Sequence, residues 1–419
     1  MSLRSLLTLA ASGLALVAAH AQNFNDYFVD ATLRVDYTLA GTDSTQGVYF
    51  NELLQTPHWY GKRHNLSTAS AHGNAQVEVT DVATGKVIYL SGFSTLFQEW
   101  QSYDEAHVMQ RAFEGVTLVP MPKKAAKVTI RLFDSYLRLA TESSKIVDPS
   151  DILIRHIGEA NVMPYEVIKP ADDPSDCICV AFIAEGYTEA EMPKFIASAR
   201  EASDAIFSYT PFKENAGKFQ VVAVKAASAQ SDVTQPSRGK WVNTLLNSNF
   251  DTFYSERYLT TLNLKRLHDA LAGVPYEHIF ILVNTERYGG GGIFNFYTIA
   301  SAYGRAKLQV IVHEFGHAFA GLADEYAYEG DTPPMYPPTV EPWEDNITTL
   351  VDYPSKWKDL EGQESTVGKV GVYEGAGYSV RGVYRPTPSC RMRDNNVKDF
   401  CPVCQRAIQR IIDNATGGK

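Results

Sequence analysis

His313-Glu314-Phe315-Gly316-His317 is the stretch of this 419-residue chain whose residue types and spacing can do chemistry. On a helix, positions i and i+4 stand one above the other, so two imidazoles spaced this way can share one zinc ion. The helix can be tested by angle, at about 100° per residue. With Leu308 as zero, Ile311, Val312, Phe315, Phe319 and Leu322 all fall within about 60° of it, an apolar stripe that would face a core. His313 and His317 fall near 140° and 180°, on the opposite side, and Glu314 lies at about 240°, beside the pair. In zinc hydrolases a Glu so placed takes the proton of the attacking water and passes it to the leaving amine.

A catalytic zinc site uses three protein ligands of nitrogen or carboxylate type and keeps one position open. His313 and His317 supply two, and the third must come from elsewhere. Gly321 stands where the helix must end for the chain to turn back. Asp324 and Glu325 follow at once, both close enough to reach the same metal.

The whole segment from His313 to Tyr326 resembles the extended signature of the metzincin clan. More closely, it resembles the bacterial zinc metallopeptidases of the immunoglobulin A peptidase family. Phe182 to Thr188, Asn284 to Gly292 and Tyr373 to Tyr378 fit the same resemblance, which covers the chain from Asp176 to its C-terminus. The spacing departs from the usual metzincin pattern, because Ala320 and Ala323 stand where a Gly and the third ligand are expected. Gly321 and Asp324 each lie one residue later. The resemblance implies Asp324 as the third ligand, with Glu325 the competing carboxylate. It also implies that Met392, in Cys390-Arg391-Met392-Arg393, forms the turn beneath the metal. By analogy with related enzymes, Tyr378 or Tyr384 would polarise the substrate carbonyl. Ile293 to Thr298 would be an edge strand that aligns substrate, with Gly289 to Gly292 a flexible rim leading into it. Those glycines are no nucleotide loop, since no Lys-Ser or Lys-Thr follows them.

The five cysteines suggest less. Cys390, Cys401 and Cys404 read as a local group containing a structural disulfide, and a four-sulfur zinc site is not supported because only Cys390 lies near the Cys401-Pro-Val-Cys404 pair. Cys177 and Cys179 alternate along an apolar strand and read as buried free thiols.

The elements that must position these residues follow from periodicity. Cys177 to Ala184 is a nearly continuous apolar run, as expected of a central strand. Thr188 to Glu191 forms a capping box ahead of a helix from Met192 to Phe207. Phe219 to Val224 and His278 to Val283 read as further strands, with a helix from Leu262 to Leu271 between them. Before this region, short alternating runs recur at Leu33 to Tyr37, Ala75 to Val79, Val87 to Leu90, Gly115 to Leu118 and Ala126 to Leu132. The expected fold class is therefore α+β, an N-terminal β-sandwich over residues 22–150 followed by a mixed α/β domain over 170–419. The resemblance makes the second a metzincin-like zinc peptidase domain and the first its accessory domain.

Arg4, the apolar run from Leu6 to Ala19 and the Ala19-His20-Ala21 cleavage pattern read as a signal peptide over residues 1–21. Export follows, to the periplasm, the cell surface or the medium. No later segment is apolar enough to span a membrane, so no transmembrane segment is expected in the mature chain. The formal charge of −10 argues against nucleic acid as a partner. The expected activity is that of a zinc-dependent endopeptidase acting on proteins or peptides, with one catalytic Zn2+. The competing reading is a non-catalytic protein- or glycan-binding protein with a structural or vestigial zinc, which would have no need of Glu314.

Overall fold

The computed structural model describes residues 23–329 and 335–418, so the signal-peptide expectation lies outside the described residues. The N-terminal region is built on two four-stranded sheets. One contains β1 (Phe28–Gly41), β2 (Gln46–Pro57), β5 (Arg111–Pro122) and the short β8 (Arg155–His156), in the order β5-β1-β2-β8. The other contains β3 (Ala75–Asp81), β4 (Val87–Phe93), β6 (Ala126–Phe133) and β7 (Leu139–Val147), in the order β4-β3-β6-β7. Alternation sorts their side chains: Leu33, Val35, Tyr37 and Leu39 from β1 and Val77, Val79, Val128 and Ile130 from the second sheet are buried in one cluster. Each of the five expected N-terminal runs lies inside an observed strand. Three short helices accompany these sheets, α1 (Phe24–Tyr27), α2 (Leu96–Trp100) and α3 (Glu105–Val108).

The C-terminal region is organised by a six-stranded sheet. Its strands are β9 (Tyr165–Lys169), β10 (Ile178–Glu185), β11 (Phe219–Val224), β12 (His278–Val283), β13 (Gly290–Ile293) and β14 (Tyr297–Ser301). They lie in the order β13-β14-β12-β10-β11-β9, parallel through the centre and antiparallel at both edges. Every residue of β10 and β12 is buried, because both faces of the sheet are covered. Ala181, Ile183, Ile279 and Ile281 face the core shared with the N-terminal sheets. Val180, Phe182, Phe280 and Leu282 face helices α4 (Met192–Ile206), α6 (Lys307–Ala320) and α7 (Pro402–Thr416). The remaining helix, α5 (Leu264–Ala270), adds Leu264 and Leu267 to the first core. The chain is thus mixed α+β with a β-rich N-terminal region. Among the described residues, no helix is long and apolar enough to cross a membrane.

Two expectations change at the edge of this sheet. Gly290 to Gly292 are not a flexible rim but the body of strand β13, laid along α6. Ile293 to Thr298 is not one strand. It straddles the hairpin turn between β13 and β14, where Asn295 takes φ 48°, a left-handed conformation that Asn tolerates. The N-terminal region grips this turn: the Ser94 N–H donates to the Phe294 carbonyl at 2.9 Å and the Asn295 side-chain amide donates to the Gly92 carbonyl at 2.8 Å.

Candidate active site

Helix α6 carries His313, Glu314 and His317 as the angular reading predicts. Ile311, Val312, Phe315 and Phe319 are buried against the sheet. The helix stops at Gly321, which adopts φ 62° and donates its N–H to the His317 carbonyl at 2.9 Å. A β-carbon there would also meet the Trp343 ring at 2.5 Å, so glycine is required both by conformation and by space.

Past this turn the chain folds back and delivers Asp324 to the two imidazoles. Asp324 Oδ1 lies 3.0 Å from His313 Nε2 and 3.3 Å from His317 Nε2, and the two Nε2 atoms are 3.0 Å apart. Each ring is held by its other nitrogen. His313 Nδ1 is 3.1 Å from the Arg391 carbonyl and His317 Nδ1 is 2.5 Å from the Leu322 carbonyl. A carbonyl only accepts, so both Nδ1 atoms carry protons, and the Nε2 atoms are the nitrogens left to bind a metal placed between them. Asp324 Oδ1 is buried and receives no hydrogen bond.

Two ring nitrogens and an unsatisfied carboxylate oxygen in a triangle of this size fit a metal ion. Four ligands about 2.0–2.1 Å from a tetrahedral zinc stand about 3.3 Å from one another, close to the edges observed. The electrostatics agree. Burial works to lower the His317 pKa, yet Asp324 and Glu314 push it up to about 9. Burial likewise works to raise the Asp324 carboxyl, and the imidazoles overcome it, holding the carboxyl well below the usual range. The cluster favours a positive charge at its centre.

Glu314, the next residue on α6, is partly buried beside this triangle. Burial raises its pKa; the imidazoles oppose that shift and the charge of Asp324 adds to it. Strand β13 runs close by. A β-carbon on Gly292 would lie 2.1 Å from the Glu314 carbonyl oxygen and 2.9 Å from His317 Cβ. The glycine run is therefore a steric requirement for bringing strand and helix together.

Beneath the helix, Met392 is fully buried, and its sulfur would lie 2.9 Å from a β-carbon on Gly316. The Gly of His-Glu-Phe-Gly-His thus leaves room for the Met392 side chain. The Met392 carbonyl accepts the Glu325 N–H at 2.9 Å, so the loop from Cys390 to Met392 supports both the first histidine and the turn after Asp324.

Of the two tyrosines left open by the sequence, the structure brings one to the site. Tyr378 lies in the hairpin of β15 (Tyr373–Ala376) and β16 (Ser379–Arg385), and its hydroxyl donates to Asp324 Oδ2. Gly377 N–H donates to the Asp324 carbonyl at 2.9 Å, fixing the same residue through its backbone. Tyr384 instead pairs through its backbone with Thr348. Glu325 does not compete for the histidines, because its side chain turns to the opposite side of the chain, toward three cysteines. The expected local disulfide is absent: Cys390, Cys401 and Cys404 are all free and buried. Cys177 is partly exposed and Cys179 buried, both free.

Sequence reading missed one wall of the site. Glu99 of the N-terminal region accepts a hydrogen bond from Tyr258, and Tyr258 forms an isolated parallel bridge with Gly290. Burial pushes Glu99 up to about 7, and the charges of His317, Asp324 and Glu314 all reach it. No local spacing marks Glu99, since only the tertiary fold brings it near α6.

A family model described as IgA Peptidase M64 matches residues 167–368 and 360–412. A second, described as Peptidase M64 N-terminus, matches residues 23–142. Among curated proteins none matches the chain.

Proposed function

The chain belongs to the M64 family of IgA peptidases, and from that premise we propose that it is an exported zinc-dependent endopeptidase with a metzincin-like catalytic domain and a β-sandwich accessory domain. The observation that carries this reading is the triangle of His313 Nε2, His317 Nε2 and Asp324 Oδ1, with separations of 3.0, 3.0 and 3.3 Å and both imidazoles held through Nδ1 by backbone carbonyls so that Nε2 faces the shared centre.

These three atoms would hold the zinc ion. When bound, zinc supplies Lewis acidity, polarising the scissile carbonyl and easing deprotonation of water. The Glu314 carboxylate takes the proton of the attacking water and returns it to the leaving amine. The Arg391 and Leu322 carbonyls keep the imidazoles in register through Nδ1, and Tyr378 orients Asp324 from the far oxygen. Met392 closes the floor, and β13 with its glycines sets the distance between the sheet edge and Glu314.

The experiment is digestion of a denatured-protein mixture by the purified chain, with and without a chelator, followed by sequencing of the new termini. The reading expects internal cleavages that vanish with chelator and return with added zinc. Unchanged substrates, or cleavage indifferent to chelation, would overturn it.

A further inference from the structure

Behind Asp324, on the side away from the histidines, Glu325, Cys390, Cys401 and Cys404 converge. One ligand atom from each lies within 4.8 Å of every other, and all four residues are buried. Cys390 Sγ and Cys404 Sγ are 3.7 Å apart, and Glu325 Oε1 lies 3.1 Å from Cys404 Sγ and 3.9 Å from Cys401 Sγ. Zinc–sulfur bonds of about 2.3 Å in a tetrahedron set neighbouring sulfurs about 3.8 Å apart. The backbone N–H of Cys401 donates to Cys390 Sγ at 3.3 Å and that of Cys404 to Cys401 Sγ at 3.4 Å. Such donors favour thiolates. Cys401 is also the N-cap of α7, so its sulfur sits at the positive end of a helix.

The carboxylate makes the decisive contribution. Glu325 is 0% exposed. Apart from the Cys404 and Cys401 sulfurs at 3.1 and 3.9 Å, its Oε1 meets only the Asn346 side-chain amide, which donates at 3.0 Å, and its Oε2 has no donor. No Lys, Arg or His forms an ion pair with it among the described residues. A buried carboxylate left this way is costly unless a cation compensates it. A disulfide between any two of the cysteines would leave the third thiol and this carboxylate without one.

We propose that Glu325, Cys390, Cys401 and Cys404 bind a second zinc ion, distinct from the catalytic one. Three thiolates exclude magnesium and calcium, and the carboxylate disfavours copper(I), whereas zinc accepts both donor types. Four protein ligands leave no open position, so this ion is structural. It joins three segments at once: the turn that carries Asp324, the loop that carries Arg391 and Met392, and the first turn of α7. The second ion therefore fixes from behind the parts that shape the catalytic triangle.

The test is metal content of the full-length chain, native and as the His313→Ala/His317→Ala double variant, which removes the first site only. Two zinc ions per native chain and one in the double variant are expected. Replacing the residual ion by cobalt should give thiolate-to-cobalt charge-transfer absorption. One zinc in the native chain and none in the double variant would overturn the proposal, as would a residual ion without that absorption. Should the double variant not fold, the native chain still decides. Denatured with chelator and without reductant, it should alkylate at Cys390, Cys401 and Cys404, and a disulfide among them would refute the site.

Discussion

Asp324 and Glu325 are adjacent in the chain and their carboxylates face opposite ways: Asp324 Oδ1 lies 3.0 Å from His313 Nε2, while Glu325 Oε1 lies 3.1 Å from Cys404 Sγ. These opposed carboxylates let one turn serve two clusters, and they separate the effects of substitutions one residue apart.

Asp324→Ala should lose the zinc held by the histidines and with it hydrolysis, while keeping the thiolate-bound ion. Glu325→Gln should weaken the thiolate-bound ion and lower thermal stability, because the turn loses its anchor to α7. Zinc content after dialysis, read beside the melting temperature, separates the two. Loss of the histidine-bound metal from Glu325→Gln with retention in Asp324→Ala would reverse the ligand assignment.

Tyr378→Phe removes the hydrogen bond to Asp324 Oδ2 and leaves the ring in place. Loss of a group that orients a metal ligand typically costs about 10–100-fold in metal affinity or activity. Zinc titration against a competing chelator should show a drop of that size for Tyr378→Phe, and none for Tyr384→Phe.

Gly292→Ala should displace β13 from α6, because its β-carbon would collide with the Glu314 carbonyl oxygen at 2.1 Å. Overpacking of this kind costs about 1–3 kcal/mol. We expect a lower melting temperature together with a loss of turnover greater than the loss of folded protein explains. Gly85→Ala is the control: its β-carbon would meet nothing within 4 Å, and φ 69° strains the backbone without touching the site.

Much of the site was legible because local rules govern it. The spacing of His313 and His317 and the apolar phase from Leu308 to Leu322 define α6, and β10 coincides with the nearly continuous apolar run from Cys177 to Ala184. Gly321 marked the helix end because few other residues adopt its conformation. The rest depends on contacts distant in sequence. Glu325 reaches Cys404 across 79 positions, so a search for a fourth sulfur beside Cys401-Pro-Val-Cys404 could not find it. Gly290 to Gly292 read as flexible because a missing side chain looks the same whether it grants freedom or close approach. Glu99 lies in a region with no catalytic spacing and gains its place only through the docking of the N-terminal region.

The central claim is that Glu314 moves the proton while His313, His317 and Asp324 hold the metal, and Glu314→Ala tests it most directly. The measurement is the rate of cleavage of a denatured protein by native and variant chains whose zinc content has been matched. The account predicts that Glu314→Ala keeps its zinc and loses about 10²–10⁴-fold in rate. Near-native cleavage by the zinc-loaded variant would contradict it.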